Sequence, residues 1–362
     1  MFIFLFILVA GLVLIYANVS PVAPGKKGKL IALGILVSIF LGMFFRDTLF
    51  GCAVVAFTSV WLCQALLLYI PWDLFRVGRR MIRRRAMPLK TLMFASRILL
   101  AATIALTLGL FAYGVPHNGN YRLLETAVNS SKSSFTAVFF SDVHVDPLFR
   151  RAKLERMIAS VDSIAPDYLL FGGDLADVST MKLDEWGYDT LFSQLTSKAK
   201  VAAVAINGNH ESMQERGGSD PDAWMRKVGF VVLDDSSACI GQACFTGRTD
   251  FQVASRRGIE RVPLASLAPR DLERTWILMD HQPKGIEQEY TGRLPDFALS
   301  GHTHDGQFFP GTIVIKLVWR LAYGEGVLDG VRWLVSAGVD CWGPPVRVGS
   351  DADMWVIRFE NQ

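Results

Sequence analysis

The chain has six histidines, and five of them stand in short polar blocks with acids and an asparagine. The blocks are Asp142-Val143-His144, Asp174 with Asp177 three residues on, Asn209-His210-Glu211, Asp280-His281, and His302-Thr303-His304. Only His117 stands apart. A lone histidine is usually an ordinary core or surface residue; five interleaved with carboxylates point to bound metal. Neutral imidazole and carboxylate suit divalent Mn, Fe or Zn, and the ligand types do not choose among them. No cysteine lies in the blocks, which argues against a structural zinc site. One tetrahedral ion would leave donors over. Two ions about 3.5–4 Å apart, sharing one carboxylate, would use them.

The elements that must position these blocks are legible around them. Residues 135–140, Phe-Thr-Ala-Val-Phe-Phe, form an apolar run of strand formers that stops at Ser141-Asp142. A second run, 167–171, stops at Gly172-Gly173-Asp174, and a third, 201–206, at Asn207-Gly208-Asn209-His210. Between them, 148–164 shows helical spacing with Leu154, Met157, Ile158 and Val161 on one face, and 183–199 also reads as a helix. Further strands are expected at 231–233, 276–279, 297–299, 331–335 and 354–359. Strand and helix alternate as in an α/β domain. Each polar block then falls just past the C-terminal end of a strand, where open α/β sheets place their sites.

The order D-x-H, G-D-x-x-D, G-N-H-E, a lone His, and G-H-x-H resembles the calcineurin-like metallophosphoesterases, and the likeness runs over about 135–359. Hydrophobic segments ahead of it, and the ending Gly338-Val-Asp-Cys-Trp-Gly-Pro-Pro-Val-Arg347, are similar to the membrane-anchored branch of that superfamily. The resemblance implies a two-sheet αβ sandwich with a dinuclear site at one end of the sheets. It implies that Asp142, His144 and His304 hold a first divalent metal, that Asn209, His281 and His302 hold a second, and that Asp174 bridges both and is needed for catalysis. His210 is implied as a catalytic acid or charge stabiliser beside the leaving oxygen. Asp177 and Glu211 are expected to support ligands by hydrogen bonds rather than to bind metal. The chemistry is hydrolysis of a phosphoester by metal-activated water.

Charge divides the chain in two. Residues 1–115 carry 12 Lys and Arg against 2 acids; residues 116–362 carry 25 against 32, a net of −7. Half of all residues are hydrophobic, 51%, which excludes a disordered chain. An acidic domain is a poor nucleic-acid partner, so none is expected. Four apolar segments, 2–17, 30–45, 49–70 and 98–115, read as a four-helix transmembrane region over 1–115. A signal peptide is the lesser reading of the first, which lacks a basic start and a clean cleavage site. Residues 116–134, polar and serine-rich, read as a linker, and 135–362 as the phosphoesterase domain. Lys26, Lys27 and Lys29, and the cluster from Arg76 to Lys90, mark cytoplasmic loops. The catalytic domain is therefore expected on the periplasmic or extracellular side.

Cys239 and Cys244 flank Ile-Gly-Gln-Ala, a spacing that suits a bridged β-hairpin and an oxidising compartment. The run 308–323 after the last histidine block is apolar and aromatic, broken by Lys316 and Arg320. It reads as core, or as an acyl-chain slot or bilayer contact. With the anchor it makes the bilayer a partner and a phosphorylated lipid the expected substrate, with Lys316, Arg320 and Arg347 as possible phosphate contacts. No protein partner is implied. The alternatives are a pyrophosphatase acting on a nucleotide-linked lipid of the UDP-2,3-diacylglucosamine type, in lipid A or glycolipid synthesis, and a non-catalytic metal-binding membrane scaffold.

Overall fold

The computed structural model describes residues 2–130, 132–286 and 290–360. The chain divides into two compact units, 1–115 and 116–362.

The first unit is helical: α1 (Phe2–Val19), α2 (Lys26–Phe44), α3 (Leu49–Arg83) and α4 (Leu89–Asn118), the last running three residues past the boundary. Among the described residues, α2, α3 and α4 are long and apolar enough to cross a membrane; the describable apolar part of the first segment, Gly11–Val22, is shorter. Ile15, Ala32, Trp61, Ala65 and Tyr69 pack together, and the Trp61 indole donates to Thr103 Oγ1 at 2.9 Å. Leu30, Phe44, Phe50 and Leu108 face outward. An apolar exterior of this kind is what lipid, not water, accommodates.

The second unit is α/β with two mixed sheets. Its elements run β1 (Tyr121–Asn129), β2 (Phe135–Phe140), α5 (Arg151–Ile164), β3 (Tyr168–Phe171), α6 (Thr180–Glu185), α7 (Tyr188–Thr196) and β4 (Ala202–Ala205). Then come α8 (Glu211–Arg216), α9 (Pro221–Lys227), β5 (Phe230–Val232), β6 (Ser236–Ile240), β7 (Ala243–Gly247), α10 (Phe251–Arg257) and α11 (Leu264–Leu267). The chain closes with β8 (Thr275–Met279), β9 (Phe297–Ser300), α12 (Gly311–Val318), β10 (Gly324–Leu328), β11 (Val331–Val335) and β12 (Ala352–Glu360). One sheet has the order β1-β12-β2-β3-β4-β5, the other β10-β11-β9-β8-β7-β6. Parallel pairing runs from β2 through β5, and from β7 through β9 to β11.

Strand alternation explains the layers. In β2, Ala137 and Phe139 join Leu170, Val204, Phe245, Ile277 and Leu299 in the core shared by both sheets. Val138 and Phe140 point the other way, into the layer formed with Leu154, Met157, Val161, Phe192 and Leu195 of α5 and α7. Both faces of the central strands are buried, which is why they read as unbroken apolar runs.

Two expectations need correction. The expected linker 116–134 contains β1, whose nine residues pair in parallel with Ala352–Glu360. It is an edge strand with only Val128 buried, so its polarity suits one solvated face rather than a flexible tether. The single helix expected over 183–199 is two, α6 and α7, separated at Gly187, which takes φ 71°. A left-handed residue cannot continue a helix. Cys239 and Cys244 sit directly opposite each other in the β6–β7 hairpin and are joined by a disulfide. Among the described residues Cys52, Cys63 and Cys341 take no part in a disulfide.

Candidate metal centre

Parallel strands with their C-terminal ends at one edge bring the polar blocks together. Asp142 and His144 follow β2, Asp174 follows β3, Asn209 and His210 follow β4, His281 follows β8, and His302 and His304 follow β9. The backbone turns sharply to aim them. Asp142, His144, Asp174, His302 and His304 all adopt left-handed φ, between 46° and 73°. Such conformations cost about 1–3 kcal/mol each for a residue with a side chain, and they gather at functional sites. Two glycines make room: a Cβ on Gly208 would come within 2.2 Å of Asp174 Oδ1, and one on Gly301 within 2.2 Å of Asp142 Oδ2.

Two groups of donors form. In the first, His304 Nε2 lies 3.4 Å from Asp142 Oδ1 and 3.2 Å from His144 Nε2. In the second, His281 Nε2 lies 3.2 Å from Asp174 Oδ2, and His302 Nδ1 lies 2.7 Å from Asn209 Oδ1. Asp174 Oδ2 is also 3.6 Å from His144 Nε2, so this carboxylate stands between the groups. Asp142, His144 and His304 are close enough to share one ion, and so are Asp174, His281 and His302.

The outer nitrogens are already committed. His144 Nδ1 meets Asp177 Oδ1 at 3.1 Å, His281 Nδ1 meets Gly172 O at 2.7 Å, and His304 Nδ1 meets Asp340 O at 3.2 Å. An acceptor there takes the ring N–H and leaves the inner nitrogen a lone pair. His281 Nε2 is buried without a hydrogen-bond partner. Two imidazole nitrogens facing each other, and an orphaned one facing a carboxylate, are poorly explained by protein contacts alone. Donors of this kind fit divalent metal.

The acid–base state agrees in part. Burial and the neighbouring His281 push His302 down to about 4, and burial with His144 and Arg347 holds His304 well below its usual value. Both are neutral at pH 7, the ligand form. Burial opposes charge on His144 as well, but Asp177, Asp174 and Asp142 outweigh it and bring it up to about 9; Asp174 similarly raises His281. Metal must displace protons from these two rings. Burial would lift Asp174, yet the His281, His210 and His144 rings hold it well below the carboxylate range.

The supporting residues do more than the sequence suggested. Asp177 reaches both His144 Nδ1 and His210 Nδ1, the latter at 2.5 Å. Glu211 accepts from the backbone N–H of Leu175 and Gly208, both at 2.7 Å, and of Asp174 at 3.2 Å, tying together the loops after β3 and β4. Burial and then Asp174 raise its carboxyl to about 7. His210 caps the start of α8, and its backbone N–H donates to Asp174 Oδ1 at 2.8 Å. Its ring stands 5.9 Å from Trp342, and the His302 ring stands 5.4 Å from Trp319. Trp342 lies in the Gly338–Arg347 ending, and Trp319 carries no sequence signal beyond its type.

The three cations suggested as phosphate contacts have other partners. Lys316 lies 3.7 Å from Asp305, and Arg320 is held by Asp329 at 2.8 Å. Arg347 is fully buried and donates to backbone carbonyls, so it cannot reach substrate.

Residues 135–306 match the family model described as calcineurin-like phosphoesterase. Over those residues the chain is similar to the calcineurin-like metallophosphoesterases. An uncharacterized metallophosphoesterase of Helicobacter pylori strain J99 is 26% identical over 224 residues, 61% of this chain and 59% of that protein. One of Aquifex aeolicus is 28% identical, covering 61% of this chain and 84% of that protein. A transmembrane protein with metallophosphoesterase domain from Danio rerio is 27% identical, covering 64% and 54%. The chain thus spans about three fifths of the length of the Helicobacter relative.

Proposed function

We propose that this chain is a membrane-anchored, two-metal phosphoesterase that hydrolyses a phosphoester or pyrophosphate bond of a membrane lipid. The two donor groups meeting at Asp174 carry this reading. Asp142, His144 and His304 would hold one divalent cation, Asn209, His281 and His302 the other, with Asp174 between them. Metal bound there supplies Lewis acidity toward a phosphoryl oxygen and a water of near-neutral pKa. His210 holds a proton for the departing oxygen: burial opposes its charge, but Asp174 and Asp177 raise its proton affinity. With Nδ1 on Asp177, the Nε2–H is the one left to donate.

Lipid is favoured by α12. This helix follows the His304 block, and Phe309, Ile313, Val314, Leu317 and Val318 are exposed, Leu317 by 82%. Five large apolar side chains in water beside a polar site suit acyl chains or the bilayer interface. Incubating the detergent-purified protein with a total membrane-lipid extract and Mn²⁺, against an EDTA control, should deplete one phospholipid or glycolipid class by mass spectrometry. Leu317→Asn with Ile313→Asn should slow that loss about tenfold and spare a soluble phosphodiester. Equal loss with and without metal sinks the reading.

The loop charges favour a catalytic domain outside the cytoplasm. A periplasm-active reporter fused at the C-terminus should be active; a dark reporter would favour the nucleotide-linked lipid, whose substrate faces the cytoplasm.

A further inference from the structure

A cavity of about 420 Å³ is walled in part by Ser212, Arg216, Phe251, Arg256, Gln282 and Lys284, on segments that also carry His210 and His281. Its position follows from the chain. Ser212 and Arg216 lie one turn apart on α8, the helix that His210 caps. Gln282 directly follows His281. Ser212 Oγ donates to Asn209 O at 2.6 Å, so this wall is fastened to the loop that offers Asn209.

The cavity's cations are under-neutralised. Arg216 has no carboxylate partner among the described residues, and neither does Lys284, whose ammonium instead sits 3.5 Å from the centre of the Phe251 ring. Among the described residues Arg256 approaches one acid, Glu215, at 3.7 Å, and that carboxylate is already held by Arg257 at 2.5 Å. Three cations therefore share one committed acid, within a domain whose net charge is −7. Several other cations of this domain meet acids closely, as in Arg248–Asp235 at 2.9 Å and Arg332–Glu325 at 2.5 Å. An unmatched cluster around a concavity raises the local concentration of anions and favours a polyanionic ligand.

We infer that this cavity binds a second phosphoryl group of the substrate, apart from the one being hydrolysed. The inference rests on the phosphoesterase reading and narrows it to substrates carrying two phosphoryl groups. A phosphoryl dianion would be met by the two guanidinium groups and the ammonium, while Phe251 keeps the Lys284 head in place. The contact is solvent-exposed, so added salt should weaken it.

Two probes differ only in the group at issue: the 4-nitrophenyl ester of thymidine 5′-phosphate, and the same ester carrying a 3′-phosphate. The readout is the ratio of their kcat/KM values for the full-length, Mn²⁺-loaded protein in detergent. The wild type should favour the bisphosphate about tenfold, through KM. The combined variant Arg216→Gln, Arg256→Gln, Lys284→Gln should bring the ratio near one. A ratio unchanged by the variant overturns the inference. If neither ester is cleaved by either protein, the phosphoesterase reading fails separately. Calorimetric binding of thymidine 3′,5′-bisphosphate in EDTA then still decides on the cavity: about tenfold weaker binding in the variant supports it, and equal binding overturns it.

Discussion

Asp174→Asn should lower kcat/KM for a generic phosphodiester by at least about a hundredfold, beyond the loss usual for groups that merely support a ligand. It should also reduce bound metal to one ion per chain or fewer. The substitution is nearly isosteric, and asparagine tolerates the left-handed φ of 60° that Asp174 adopts. Asn can still accept the His210 N–H through its amide oxygen. What it removes is the negative charge that stands between His144 and His281 and that both donor groups share. Without it, two cations a few ångströms apart would repel across a neutral amide. The melting temperature of the metal-free protein should stay within a few degrees of wild type, which separates lost chemistry from lost folding. Metal analysis and steady-state kinetics on the same preparation check the two halves. Wild-type turnover with full metal in the variant would rule out a bridging role for Asp174.

Much of this site was legible because its chemistry and its position in the fold leave separate marks. Parallel central strands buried on both faces leave apolar runs, and β2, β3, β4, β8 and β9 are all readable as such. The polar blocks punctuating those runs form the candidate site. Side chains that serve it from a distance leave weaker marks. Edge strand β1 exposes most of its residues, so its composition looks like a linker. α12 looks like core by composition, yet its apolar residues are exposed, and no sequence pattern distinguishes an apolar helix facing protein from one facing lipid. Arg216, Arg256 and Lys284 come from three separate stretches of chain and become a cluster only when α8, α10 and the loop after β8 fold together. Asp177 reads as a supporting residue, but a spacing cannot tell that one carboxylate reaches two histidines.

Arg347 shows how a charged residue can be misread, and it carries the second large expectation. In sequence it resembles a phosphate contact. In the fold it is fully buried, and its guanidinium donates to Ala337 O at 2.6 Å, Asp340 O at 2.8 Å and His304 O at 3.1 Å. Those carbonyls belong to the two loops that hold His304: its own, and the one whose Asp340 O receives His304 Nδ1. Asp340 is fixed further by Lys153 Nζ at 3.0 Å and Asn118 Nδ2 at 2.6 Å. A planar fork spreads five N–H groups over carbonyls of both loops, whereas an ammonium offers three donors from a single point. Arg347→Met would leave Ala337 O unpaired and take the second donor from Asp340 O, which keeps His304 Nδ1, and from His304 O, which keeps the Gln307 N–H; at about 1 kcal/mol for each lost hydrogen bond, a loss of about 3 kcal/mol is expected. For a domain of this size that is a fall in melting temperature of roughly 6–12 °C. Because the lost bonds hold His304, metal affinity at the Asp142–His144–His304 group should fall more than at the other, giving a biphasic metal titration. Arg347→Lys should recover part of the stability and little of the metal affinity. A melting temperature and titration like wild type in Arg347→Met would mean that the two loops are held by their own packing, and that this buried charge is dispensable to the centre beside it.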